Sequence, residues 1–239
     1  PEGPVLGFHR AGRWDDVLPL EECLIATSPA NAARRAVEDW ARASGVLPWD
    51  RRAHRGYLRH VVVRGSDRTG EVLVNVVTSP GDLPDGEALL AALRERVPGL
   101  VGVLQSVTDS VAEVTAGLPV TVLAGRDWYE EELLDLHLRV SSGSFLQTNT
   151  AMCERLYSIA LEEAHLAGDE VVWDLYSGIG SIALALARDA GQVIGVEVVE
   201  EAVERARENA DLNGIENVEF VAGDVAKALR PLRERGLPD

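Results

Sequence analysis

Apolar positions along the chain switch between two periods, and the switches mark its elements. In residues 28–43, Ala33, Val37, Trp40 and Ala41 recur at helical spacing behind Ser28, a cap residue, and Pro29, predicting a helix that ends near Gly45. Residues 58–64 and 71–77 are rich in valine and joined by a Gly/Ser/Asp-containing link, which predicts a β-hairpin. Helical spacing returns over 86–97, with Leu89, Leu90, Leu93 and Val97 on one face, and 100–107 reads as another strand. The order helix, strand, strand, helix, strand predicts a small α/β layer, its helices on one side of a largely antiparallel sheet. Residues 120–140 read as short strands around the acidic tip Tyr129-Glu-Glu-Glu132 and close on the alternating Leu136-His-Leu-Arg-Val140.

A different rhythm follows. The polar stretch Ser141-Ser-Gly-Ser-Phe-Leu-Gln-Thr-Asn149 leads into a helix expected over 151–167, with Thr148 or Asn149 as its cap. Val171, Val172 and Trp173 then form a short apolar run, Gly178 and Gly180 punctuate it, and residues 182–187 resume as helix formers. Strand, glycine turn, helix is the geometry of a nucleotide site, because a glycine there lets backbone approach a ligand. A second strand over 192–197 ends at Glu197, placed to accept from ribose hydroxyls. A helical stripe of Ala202, Val203, Ala206 and Ala210 stops at Asn213-Gly214, and a third strand ends at Asp224, suited to accept from an adenine amino group.

Two ligand classes use such a turn. Gly178-Ile-Gly-Ser-Ile-Ala183 fits the dinucleotide fingerprint, with Glu197 near the ribose-binding offset, so an NAD-dependent oxidoreductase is one reading. Asp174, four residues before the first glycine, favours the other. A carboxylate at the strand tip attracts the ammonium of S-adenosylmethionine and repels a pyrophosphate.

Composition sets the outer bounds. The chain of 239 residues is long enough for two modest domains, and no apolar run approaches a membrane span. With Cys23 and Cys153 as its two cysteines and no export leader at its start, a cytoplasmic, monomeric protein without a disulfide framework is expected. By spacing alone Cys23 reads as a small buried hydrophobe rather than a metal ligand. A net charge of −16 weighs against nucleic-acid binding, although arginines can still form a local patch on an acidic body. A non-catalytic RNA-binding module is therefore the third, weaker reading.

Taken together, Phe145-Leu-Gln-Thr-Asn149, Asp174-Leu-Tyr-Ser-Gly-Ile-Gly180, Val196-Glu197, Asn209-Ala-Asp-Leu-Asn-Gly214 and Asn217-Val-Glu-Phe-Val-Ala-Gly-Asp224 closely resemble RNA (uracil-5-)-methyltransferases of the RlmD and TrmA kind. The front half matches as well, where Val5-Leu-Gly-Phe-His-Arg10 and residues 58–64 look like that family's central domain. The resemblance implies an α/β fold: the N-terminal half of a Rossmann-like class I methyltransferase domain over 141–239, preceded by a small central α/β domain over 1–140. It implies S-adenosylmethionine as methyl donor, held by Gln147, Tyr176, Ser181, Glu197 and Asp224 beside Asp174, Gly178 and Gly180. It implies methylation of carbon 5 of a uridine in RNA, ribosomal RNA ahead of transfer RNA, through a cysteine–uracil adduct. It also reverses the reading of Cys23, which falls where iron–sulfur members place the last cysteine of a [4Fe–4S] cluster. The family's RNA-binding β-barrel and three further cluster cysteines would precede this region. Its nucleophilic cysteine and general base would follow Asp239. The chain is thus expected to be truncated at both ends, with no catalytic residue inside it, and Cys153 is read as a core residue.

Overall fold

The computed structural model describes residues 3–112, 115 and 117–239, the side chains of Trp14 and Arg235 excepted. The chain divides into two compact units. One holds the residues through Tyr129 together with Ser141–Gly143, the other Glu130–Val140 with Ser144–Asp239.

The first unit opens with the antiparallel pair β1 (Gly7–Arg10) and β2 (Arg13–Pro19). Helix α1 (Ser28–Ala43) follows, and its cap is Thr27, whose hydroxyl accepts the Ala30 N–H at 3.1 Å. Ser28, expected as the cap, is instead the first helical residue, because the residue before it already supplies the side-chain acceptor. Strands β3 (Leu58–Gly65), β4 (Val72–Thr78), β5 (Leu100–Val107) and β6 (Val120–Gly125) form one sheet in that order. The β3–β4 and β5–β6 pairs are antiparallel, as a hairpin requires for the first, while β4–β5 is parallel. Parallel neighbours need a crossover, and α2 (Gly86–Arg96) provides it. Val72, Val74 and Val76, alternate residues of β4, pack with Ala33, Ala36, Val37, Trp40 and Ala41 of α1 and Leu89 and Leu93 of α2. Trp40 also donates its indole N–H to the carbonyls of Pro84 and Asp85, at 3.1 and 3.2 Å.

Strand β7 (Trp128–Leu133) straddles the two units and pairs with β8 (Leu136–Ser141). The two-residue turn between them has positive φ at both Leu134 (51°) and Asp135 (57°), the requirement of a type I′ hairpin turn. Neither residue favours that conformation as glycine would. Arg188 holds it by donating to both carbonyls, at 2.5 and 2.9 Å, and Glu154 accepts the Leu134 N–H at 3.1 Å.

The rest of the second unit runs α3 (Thr150–Ala164), β9 (Val171–Leu175), α4 (Ser181–Leu186), β10 (Gln192–Glu197), α5 (Glu200–Asn213), β11 (Val218–Ala222) and α6 (Val225–Arg235). Of the two caps expected for α3, Asn149 fills the place, accepting the Met152 N–H at 3.0 Å. The three strands form a parallel sheet in the order β11–β10–β9. Val193 to Val196 of the central strand are buried without alternation, as expected when both faces of a parallel sheet are covered. Below it, Ile194 and Val196 pack on Val225, Ala228 and Leu232 of α6.

The hairpin residues 130–140 group with this unit, whereas the sequence reading placed the boundary after them, at 140/141. Two amides of α5 explain the grouping. Asn213 exchanges hydrogen bonds with the His137 backbone at 2.9 and 2.7 Å, and Asn209 does the same with Arg139 at 2.8 and 3.3 Å. Each amide presents an acceptor and two donors, so two asparagines one helical turn apart serve β8 as a neighbouring strand would. Among the described residues no helix is long and apolar enough to cross a membrane.

Candidate functional site

The carboxyl ends of β9, β10 and β11 bring Asp174, Glu197 and Asp224 to one edge of the parallel sheet. Between β9 and α4 the chain turns sharply through Tyr176, Ser177, Gly178, Ile179 and Gly180. Tyr176 has φ +74°, Gly178 +54° and Gly180 +83°. A tyrosine in this region is strained, and strain of this kind persists only where surrounding bonds over-determine it.

Those bonds come from every side. The N–H groups of Tyr176 and Ser177 both donate to the Val196 carbonyl, at 2.8 and 3.0 Å. Gly178 donates to Glu197 Oε2 at 3.0 Å, and Val199 donates to Oε1 of the same carboxylate at 2.9 Å. The fully buried Asn209 amide donates to the Ile179 carbonyl at 3.1 Å. Beneath the turn lies Phe220, and a Cβ on Gly180 would stand 2.6 Å from its ring. Gly195, paired in register with both Asp174 and Phe220, is constrained in the same way, since a Cβ there would come within 2.5 Å of Phe220 and 3.0 Å of Ser177.

Asp174 is the chemically distinctive group. The backbone of Ala183, in the first turn of α4, favours its charged form, while Oδ2 is buried without a hydrogen-bond partner. Desolvation, with a smaller contribution from the charge of Glu197, pushes its pKa up to about 6. An unpartnered buried carboxylate oxygen beside a glycine turn is suited to a cationic ligand, which restores both the lost hydrogen bond and the lost solvation. Ser177 Oγ is a second buried atom there without a partner. Ser181, the first residue of α4, is buried and shares a 2.9 Å hydrogen bond with the Tyr157 hydroxyl of α3. Burial drives the Tyr157 pKa up to about 12, so that group is a neutral hydroxyl.

Around these polar groups the strand tips expose apolar surface: Tyr176, Leu175, Val198 and Val199 all present side chains to solvent. Asp224 is exposed and caps α6, accepting the Lys227 N–H at 3.2 Å through Oδ1. Gln147 is exposed in the link that enters α3, two residues before the Asn149 cap. Cys23 lies in the other unit, in a loop clamped by the buried Asn31, which accepts the Cys23 N–H at 2.8 Å and donates to its carbonyl at 2.9 Å. Among the described residues no three of His, Cys, Asp and Glu come together to hold a metal. Tyr157, Asn209 and Gly195 were not singled out for the site from the sequence. Asn209 stood inside a quoted motif, but its role needs a tertiary contact to be seen.

The fold and the turn define a Rossmann-like class I methyltransferase architecture behind a small α/β unit. Comparisons with known proteins show which family the chain resembles. Residues 122–235 match the family model described as tRNA (uracil-5-)-methyltransferase. The chain is 40% identical over 232 residues to an uncharacterized RNA methyltransferase of Caldanaerobacter subterraneus subsp. tengcongensis, covering 96% of this chain and 52% of that protein. It is 38% identical over 230 residues to one of Chlorobaculum tepidum, covering 94% and 47%. The solved tRNA (uracil-54, C5)-methyltransferase of Pyrococcus abyssi, in complex with S-adenosyl-L-homocysteine, superimposes with a TM-score of 0.76 at 26% identity, over 92% of this chain and 52% of that one. The resemblance to RNA (uracil-5-)-methyltransferases is borne out, and the chain spans about half the length of the relatives it matches.

Proposed function

We propose that this chain is the S-adenosylmethionine-binding part of an RNA (uracil-5-)-methyltransferase. The observation that carries the reading is the buried, unpartnered Asp174 Oδ2 at the tip of β9, beside the turn that Glu197 pins. Asp174 would face the donor's ammonium, Glu197 its ribose hydroxyls, and Asp224 its adenine amino group, with Tyr176, Val198 and Val199 supplying apolar contact. Gln147 and Ser181 complete the set that the family resemblance assigns, and Gly178 and Gly180 shape the turn against which the donor would lie. The donor supplies an electrophilic methyl group on a sulfonium centre.

Methylation at carbon 5 of uracil by this family's route requires a thiolate to add at carbon 6. Cys153 is poorly suited to that task. It is buried in α3, and desolvation raises its pKa, which disfavours the thiolate. The nucleophile is therefore assigned to a part of the whole protein other than this chain. Cys23 is proposed as one ligand of a [4Fe–4S] cluster. Among the described residues no group of three His, Cys, Asp or Glu gathers to hold a metal, so Cys23 would supply one corner of such a cluster and no step is derived through it.

Calorimetric titration of S-adenosylhomocysteine and of NADH against the chain tests the central reading. Binding of the first without the second is expected, and the reverse would restore the dinucleotide reading. For the RNA, ribosomal RNA implied by the sequence resemblance and transfer RNA named for the archaeal structural relative are the two arms. Labelled donor and whole protein, assayed on each RNA, decide between them.

A further inference from the structure

We propose that Tyr157 is a positioning residue for the amino-acid end of the methyl donor, acting through Ser181. This rests on the reading that the second unit binds that donor. Tyr157 lies on α3, outside every motif of the glycine turn, yet its hydroxyl reaches Ser181 Oγ at 2.9 Å. A ring needed only for packing could be phenylalanine; the hydroxyl of the half-buried Tyr157 holds its place by the partner it serves. Here the partner is the first side chain of α4, whose cap residue Gly180 has none to offer.

The geometry confines what Ser181 can do. A serine hydroxyl rotates among three staggered positions and carries one donor and two acceptor sites. The bond to Tyr157 selects one position and occupies one site, leaving the remainder for a ligand. Across the glycine turn from Ser181, Asp174 leaves its buried Oδ2 unpartnered at the tip of β9, and its charge is felt at the Tyr157 hydroxyl. A carboxylate at the tip of β9 and an oriented hydroxyl at the start of α4, on either side of the glycine turn, suit an α-amino acid, the first taking the ammonium and the second bonding the adjacent carboxylate. Tyr157 thus sets the orientation of a group that touches the donor without touching it itself.

Tyr157→Phe removes one oxygen and keeps the ring. S-adenosylhomocysteine should bind that variant about three- to tenfold more weakly, the range of one lost hydrogen bond. Methylthioadenosine, which lacks the amino-acid end, should bind both proteins equally. In a Ser181→Ala background, Tyr157→Phe should cost S-adenosylhomocysteine nothing further. Unchanged S-adenosylhomocysteine affinity in Tyr157→Phe would overturn the proposal. So would equal losses for both ligands, which mark a general loosening, or additive losses in the double variant. If wild-type protein fails to bind S-adenosylhomocysteine at all, the donor-binding reading falls and takes this proposal with it.

Discussion

Glu197 binds the Gly178 N–H through one carboxylate oxygen at 3.0 Å and the Val199 N–H through the other at 2.9 Å, tying the tip of β10 to the turn after β9. Each oxygen keeps a lone pair for a ligand. Glu197→Ala should weaken S-adenosylhomocysteine binding by about 1–3 kcal/mol, the cost of losing a charged acceptor. Titration calorimetry reads this directly, and unchanged affinity would remove Glu197 from the site.

Asp174 makes stability depend on pH in the direction opposite to an ordinary surface carboxylate. Its pKa rises from 3.8 to about 6 in the folded protein, so the folded state holds a proton that the unfolded chain has released. The contribution of the protonated form is complete below pH 3.8 and is lost as pH rises through about 6. Asp174→Asn keeps the size of the side chain and cannot ionise. It should stabilise the protein by up to about 3 kcal/mol at pH 8 and by almost nothing at pH 4. Urea midpoints of both proteins at the two pH values give the answer, and equal differences at both would show that Asp174 is not desolvated.

Binding of a cationic donor should pull the Asp174 proton off. Between pH 5 and 7 the observed enthalpy of S-adenosylmethionine binding is then expected to vary with the ionisation enthalpy of the buffer. Net proton release should fade toward pH 8, where the carboxylate is already charged. An enthalpy independent of buffer at pH 6 would place the ammonium elsewhere.

Gly195 has no room for a methyl group. Gly195→Ala should cost about 1–3 kcal/mol by overpacking against Phe220 and Ser177. Phe220→Leu in the same chain should recover part of that loss, because the ring is the nearest obstacle. Thermal unfolding of the single and double variants tests the coupling.

The 239-residue chain incubated with RNA and labelled donor should incorporate only background label, and Cys153→Ala should leave that background unchanged. Robust labelling that depends on Cys153 would overturn its reading as a core residue.

Much of the second unit was legible in its sequence because a buried parallel strand, a glycine turn and an amphipathic helix each leave a local pattern. The tips at Asp174, Glu197 and Asp224 could be read by counting from those patterns. Helix α6 was passed over although Val225, Ala228 and Leu232 carry helical spacing, because Asp224 had been read as a ligand contact rather than a cap and Pro231 interrupts the run. Tyr157 and Asn209 were out of reach for another reason: their partners Ser181, Ile179 and Arg139 lie far along the chain, and no local period encodes such a meeting. The turn at Leu134-Asp135 is hidden on the same ground, since it lacks the glycine that marks a type I′ turn and leans on Arg188 and Glu154 instead.

The asparagine pair on α5 also fixes how this region opens and closes. The amide protons of His137 and Arg139 are sheltered by helix side chains rather than by a strand, so they become available to solvent when the last turns of α5 fray or swing away. Their deuterium uptake should therefore keep time with the C-terminal turns of that helix and not with the sheet of the first unit. Because Asn209 also grips the Ile179 carbonyl, the glycine turn belongs to the same cooperative segment. A ligand that quiets the turn would slow exchange in a hairpin it never touches.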